Sequence, residues 1–204
     1  MLFSDSYFTI KQPAEGIYKD KGSKFISFAF PVINEIEIKA HLSGLKKEHP
    51  SARHHCYAWR LGADKSAYRA NDDGEPSNTA GKPIFSQIQS KDLTNILIVV
   101  VRYFGGTLLG VSGLINAYKG AAANVLESSI IEEKFILFEY KIEFSFEDMN
   151  FVMKILKDCA GNLISQNYGD INFIIFQIKK AESEKLQNRI SAVYKTKLSY
   201  IRTL

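Results

Sequence analysis

Residues 96–101 read Ile-Leu-Ile-Val-Val-Val, six apolar side chains of which five are β-branched. Branching at Cβ stiffens the side chain and favours a pleated backbone, and a strand without polar alternation must be covered on both faces. A chain carrying such a strand has to build a sheet with a packed layer on each side. The flanking segments supply candidates for that sheet and those layers. Residues 24–33 alternate and are aromatic-rich, which predicts a strand, and residues 53–60 predict a second, with 66–70 able to pair back on it. Residues 35–48 carry apolar side chains at 36, 38, 42 and 45 with Lys and Glu between them, which predicts a helix ending before Pro50. A loop over 71–82 leads to a short helix near 84–89, and a longer one is expected over 112–127.

From Glu133 onward the pattern changes. Strands are expected over 135–146, 162–166, 171–178 and 197–201, with helices over 148–159 and 182–194. That order, β-α-β-β-α-β, is a split βαβ sandwich able to stand alone, so the boundary is expected near 131–133, giving domains of 1–132 and 133–204. A length of 204 residues accommodates two small domains. The fold class expected is α+β. With 46% hydrophobic and 24% charged residues the chain can bury a core. Its longest apolar run is far below the roughly 20 residues of a membrane helix. The first five residues hold no basic segment followed by an apolar one, so no secretory signal is expected. Cys56 and Cys159 form no CxxC pair, which fits a reducing compartment. The expected location is the cytoplasm, with no membrane partner.

The formal net charge is only +4, yet four of the six arginines (Arg53, Arg60, Arg69, Arg102) fall between residues 53 and 102. An anionic partner would therefore meet a local surface. Three segments could form it. The first, Arg102 to Gly113, follows the apolar strand and opens a helix around Gly105, Gly106 and Gly110, where backbone N–H groups can hold an anion. It fits a Walker A frame except that Val111 stands where the phosphate-binding lysine belongs, which excludes a nucleoside triphosphatase. Its glycines could equally serve positive φ and close packing. The second segment is Arg53 to Arg60. On a strand, Arg53, His55, Tyr57 and Trp59 share one face, suited to ring stacking and phosphate contact, while His54, Cys56, Ala58 and Arg60 share the other. Adjacent histidines on opposite faces cannot ligate one metal, and no metal or cofactor is expected. Cys56 reads as a small core residue rather than a nucleophile. The third segment, Asn71 to Pro83, holds Asp72, Asp73, Glu75, Thr79 and Lys82. Its carboxylates could work as acid–base groups, or close turns and pair with Arg69 or Arg102. A calcium-loop template fails there, because Arg69 and Ala80 would occupy its first and twelfth positions.

Taken together, these segments resemble the YigZ/IMPACT family. The residues that carry the resemblance are Arg53-His54-His55-Cys56-Tyr57-Ala58-Trp59-Arg60, Asp72-Asp73-Gly74-Glu75-Pro76 with Thr79-Ala80-Gly81-Lys82-Pro83, and Val100 to Gly106 with Leu109-Gly110. Lys21-Gly22-Ser23-Lys24-Phe25 matches the family's usual opening. The resemblance implies an N-terminal domain like domain 2 of ribosomal protein S5, and a C-terminal ferredoxin-like domain resembling domain V of elongation factor G. It also implies a role in translation. Eukaryotic members regulate translation during amino-acid starvation, a stress response, through an initiation-factor kinase pathway, and RNA or ribosome binding is the usual proposal for bacterial ones. Two departures stand out. Asn116 occupies a position where a basic residue is common, and the RWD domain of eukaryotic members is not seen ahead of the first strand.

The function expected is thus a non-enzymatic RNA- or ribosome-associated regulator of translation. Its anion-binding residues would be Arg53, His55, Tyr57, Trp59, Arg60, Thr79, Lys82, Arg102, Tyr103, Gly105, Gly106 and Gly110. The alternative is a hydrolase or transferase on a phosphorylated substrate, using His54, His55, Asp72, Asp73 and Glu75. A further alternative is an adaptor that binds a protein partner in translation or its regulation through the acidic loop.

Overall fold

The computed structural model describes residues 5–169, 171–193 and 195–204. It is a mixed α/β protein whose described residues fall into two compact units. One is Tyr7–Lys134, and the other is Phe135–Leu204 with Asp5 and Ser6.

In the first unit a five-stranded sheet runs in the order β2-β3-β6-β4-β5. Its strands are β2 (Ala14–Asp20), β3 (Ser23–Pro31), β4 (His54–Leu61), β5 (Ala67–Asn71) and β6 (Ile96–Tyr103). Every neighbouring pair is antiparallel. The apolar run lies on β6 at the centre, and its side chains divide between two cores. Ile96, Ile98 and Val100 face helices α2 (Gly81–Ser90) and α3 (Gly110–Glu127), where they meet Ile84, Ile88, Ala117, Tyr118 and Ala121. Leu97, Val99 and Val101 face α1 (Glu35–Glu48) with Phe28, Trp59, Ile38 and Leu45. The strand is fully covered, as its composition requires. Helix α1 begins where the sequence places it because Asn34 caps it: its Oδ1 accepts from the Glu37 N–H at 2.9 Å, and Glu37 accepts back from the Ile33 N–H at 2.9 Å.

Two N-terminal strands were not expected. β1 (Ser6–Ile10) pairs with β7 (Ile131–Phe135), and β2 forms an edge of the main sheet. The reason β2 escapes detection is its alternation of exposed with half-buried residues, Glu15 and Ile17 facing out, and the polarity that an edge strand tolerates. The expected strand over 135–146 is observed as β8 (Leu137–Phe144), and β7 precedes it, ending at Phe135.

The second unit continues with α4 (Met149–Asp158), β9 (Asn162–Asn167), β10 (Asn172–Lys179), α5 (Ser183–Ile190) and β11 (Lys197–Thr203). The sheet order is β11-β8-β10-β9, antiparallel throughout. Tyr140, Ile142, Phe144, Ile174, Phe176 and Ile178 pack against Val152, Ile155 and Leu156 of α4 and Leu186 and Ile190 of α5. Helix α5 ends at Ile190 rather than 194, and Tyr194 lies outside the described residues, as do the first four residues read for a signal. No helix among the described residues is long and apolar enough to cross a membrane.

Candidate functional site

Strand register brings the sequence segments together. In the β4–β6 ladder His54 stands opposite Arg102, and in the β3–β6 ladder Phe25 stands opposite the same Arg102. Directly paired residues project to one face, and here it is the face covered by α3. The loop after β5 adds Glu75, which is buried. Its Oε1 accepts from Arg102 Nη1 at 2.6 Å and from the Tyr118 hydroxyl at 2.7 Å. The Arg102 guanidinium lies 5.5 Å from the Phe25 ring centroid and 5.8 Å from that of Phe104. A buried charge is tolerated when it is paired and hydrogen-bonded, and this pair meets that condition.

The acidic loop is held by its own carboxylates. Asp72 accepts from the N–H groups of Ala80 and Gly81 at 3.0 and 2.8 Å through Oδ1, and from the Asn78 N–H at 2.9 Å through Oδ2. It closes the loop and satisfies the first turn of α2, which has no side-chain cap at Ala80. Asp73 accepts from the His55 N–H at 2.7 Å, and its carbonyl meets His54 Nδ1 at 2.8 Å. Asp73 and Gly74 both take positive φ, 41° and 87°, which turns the chain back toward β4.

These elements enclose a cleft of about 500 Å³. Arg53, His54, Glu75 and Arg102 supply its polar lining, and Pro76, Phe104, Leu108, Leu109, Val111 and Leu114 its apolar walls, with Gly110 at the start of α3. Phe104, Leu108 and Val111 are 51%, 83% and 60% exposed. A smaller groove beside it is bordered by Ser51, Arg53, Arg102, Tyr103 and Phe104.

Several expected contacts are corrected. The alternation along β4 is as read, but the face with Tyr57 and Trp59 packs against α1. Trp59 is buried in that core, with Tyr57 half-buried against it, so Trp59 offers no ring face to a ligand. His55 is buried on the same side, where loss of water pushes its imidazole below the ordinary histidine value against the opposing pull of Asp73. Arg60 is buried at the far end of β4. Its Nε donates to the Leu93 carbonyl and its Nη2 lies 3.3 Å from Asp92 Oδ1. Arg102 is tied to Glu75 rather than open to phosphate. Thr79 is buried and donates to the Pro76 carbonyl at 2.6 Å. Lys82 is exposed on the first turn of α2 and does not line the cleft. Tyr103 bonds His49 through its hydroxyl at 2.9 Å. Gly105 serves packing: a Cβ there would overlap the Gly22 backbone, and its N–H donates to Ser23 Oγ at 3.2 Å. Gly106 and Gly110 adopt φ of +86° and +71°, which a side chain would strain. Of the residues with acid–base potential, His55, Asp72 and Asp73 are committed to structure, and His54 and Glu75 line the cleft 4.0 Å apart. Cys56 is in the core, where burial pushes its thiol far above the ordinary value. Among the described residues no cluster of three or more His, Cys, Asp or Glu side chains could hold a metal ion.

The sequence reading missed the apolar walls. Phe104, Leu108 and Val111 sit in a glycine-punctuated loop and first helical turn with no core to bury them. That mismatch between residue type and local structure is the signal that could have found them.

The model of the Impact N-terminal domain matches residues 21–126. The IMPACT family member YigZ of Escherichia coli (strain K12) is 35% identical over 166 residues, covering 80% of this chain and 81% of that protein. This chain belongs to the IMPACT family. An IMPACT family member of Haemophilus influenzae is 32% identical over 176 residues, 84% of each chain. A crystal structure described as that of a hypothetical protein covers 98% of both chains at 30% identity, with a TM-score of 0.76. Every cleft residue, from Arg53 to Leu114, falls inside the segment that the IMPACT domain model matches.

Proposed function

We propose that this IMPACT family member is a non-enzymatic, cytoplasmic RNA- or ribosome-associated regulator of translation, and that the cleft is where it holds RNA. In this reading the first unit is the S5 domain-2-like domain. The second is ferredoxin-like, an assignment supported by the strand order β11-β8-β10-β9, and the division falls close to residues 132–134. The observation that carries the reading is the pairing, at one cleft, of an exposed Arg53 with a half-exposed Phe104 and open apolar walls. An arginine at the rim suits a phosphate, and an aromatic face in a cleft suits an unstacked base. The backbone N–H groups held by Asp72 and Asp73 and the burial of His55 favour this reading over one that uses His54, His55, Asp72, Asp73 and Glu75 for catalysis.

The test is fluorescence anisotropy with single-stranded RNA across a salt series, together with ribosome co-sedimentation. Arg53→Ala should weaken binding and lower the salt slope by about 1. Phe104→Ala should cost about 1–3 kcal/mol of affinity with little change in slope. Thermal melts check that both variants fold. Absence of binding to RNA and ribosomes at low salt, or two variants that bind as the parent does, would overturn the reading. Partners that persist after nuclease treatment would favour the adaptor alternative.

A further inference from the structure

We infer that the floor of the cleft reads the ribose 2′-hydroxyl, so that the site takes RNA in preference to DNA of the same sequence. This rests on the reading of the cleft as an RNA site and names the sugar it selects. The ion pair on the floor is only half closed. A guanidinium and a carboxylate can share two parallel hydrogen bonds, yet Arg102 and Glu75 share one, from Nη1 to Oε1 at 2.6 Å. The Tyr118 hydroxyl donates to that same Oε1 at 2.7 Å and so takes none of the capacity of Oε2. Among the described residues, Glu75 Oε2 and Arg102 Nη2 therefore have no partner, and Arg102 Nε is buried without one. Both side chains are more than nine-tenths buried, and both line the cleft.

The floor thus sets N–H donors beside a carboxylate oxygen. His54 adds an acceptor. Its Nδ1 lies 2.8 Å from the Asp73 carbonyl, which can only accept, so in the neutral ring Nε2 carries no proton. A group that only accepts would leave Glu75 unpaired, and one that only donates would leave Arg102 unpaired. A hydroxyl does both, and it turns about its C–O bond to suit its partners. Each ribonucleotide carries such a hydroxyl, and a deoxyribonucleotide has hydrogen in its place. The surroundings suit the rest of a nucleotide. Arg102 borders one groove with exposed Arg53, suited to the phosphate, and with half-exposed Phe104, suited to the base. The Arg102 guanidinium stands 5.8 Å from the Phe104 ring centroid, which places the floor next to the stacking face.

The experiment measures fluorescence anisotropy of short single strands of one sequence, length and charge, at neutral pH and fixed salt. The four probes are RNA, DNA with deoxyuridine in place of thymidine, and RNA with every 2′-hydroxyl either methylated or replaced by fluorine. Base edges are the same in all four. The methyl ether accepts without donating, and the fluoro sugar keeps the shape of ribose without a donor. RNA is expected to bind about tenfold tighter than each of the other three. Arg53→Ala should weaken all four alike. Glu75→Leu with Arg102→Met makes the floor apolar and should bring RNA to the level of DNA, with thermal melts checking the fold. Equal binding of RNA and DNA by the parent protein would overturn the inference and leave RNA binding standing, and this comparison needs no variant to fold. Fluoro or methylated strands that match RNA would overturn it too, because sugar shape rather than the hydroxyl would then carry the preference. A preference that survives in the folded double variant would overturn the assignment to this floor. No binding of short RNA with ribosome binding intact would overturn the inference and retain the ribosome reading. Absence of both would overturn the reading beneath it.

Discussion

Each unit of this protein carries an arginine joined to a glutamate across the face of a sheet, and the two pairs live in different surroundings. In the first unit Arg102 and Glu75 have side chains 8% and 4% exposed, and the carboxylate also holds Tyr118. In the second, Glu139 is equally covered at 6%, but Arg202 is 61% exposed. Arg202 reaches Glu139 from the neighbouring strand at 2.9 Å, and Gln177 adds a bond at 2.7 Å from the other side. Each arginine donates to its glutamate, Arg102 through Nη1 and Arg202 through Nε and Nη2, so what separates the pairs is the water left around the cation. A desolvated arginine cannot trade its partner for solvent, whereas a hydrated one can. The cleft is built around the first kind, which makes Arg102 a fixed wall rather than a mobile phosphate ligand.

The sharpest way to break this contrast is Glu75→Ala. It would strand a guanidinium in the core and remove the Tyr118 acceptor, and the expected cost is about 3–5 kcal/mol. Trp59 is the only tryptophan and is buried in the first unit, so the urea midpoint of its fluorescence reads that unit directly. Replacing both partners, Glu75→Leu with Arg102→Met, should recover much of the loss, because an apolar pair leaves no uncompensated charge. A cost below about 1 kcal/mol for the single change would mean the pair behaves as a surface pair.

The same distinction explains which parts of the protein can be read from its sequence. The central strand was plain because Ile96 to Val101 leaves no solvent face, and α1 was plain because its apolar spacing, Pro50 and the capping residues agree. β2 was hidden because an edge strand needs only one apolar side, and Glu15, Lys19 and Asp20 disguise it. At the cleft, residue type pointed to segments that line it, yet it could not separate Arg53 from Arg60 and Arg102. Exposure differs among the three because of register: Arg102 is paired opposite His54 within the sheet, Arg60 meets Asp92 at the far end of β4, and Arg53 precedes the strand. The reverse error hid Phe104 and Val111, which look like core residues and lie open. Sequence identifies the chemistry available, and strand register decides whether water reaches it.

Acid should separate the two units more gently. In the first, His55 is held below its ordinary value by burial, so the unfolded chain binds its proton more readily. The neutral ring contributes full stability above about pH 6.5, and that contribution falls as pH drops below it. In the second, Glu139 is held below the usual carboxylate range by Gln177 and Arg202. Its contribution is complete above about pH 4.3 and falls only at lower pH. Trp59 fluorescence should therefore report a weakening of the first unit at mildly acid pH, and His55→Gln should flatten that slope. Coincident acid transitions in both units, unchanged by His55→Gln, would remove the difference.

The smallest effect expected is that of Arg202→Ala. Its guanidinium is mostly hydrated and Glu139 keeps the Gln177 bond when it is gone, so the cost should be about 0.2–1 kcal/mol. Added salt should shrink even that, since an exposed partner is screened while a buried one is not. Urea titration followed by far-ultraviolet circular dichroism, at low and high salt, reads the change without relying on Trp59. A cost matching that of Glu75→Ala, and indifferent to salt, would show that the covered carboxylate rather than the hydrated cation sets the worth of such a pair. Exposure of Arg202 would then no longer distinguish the open sheet from the cleft.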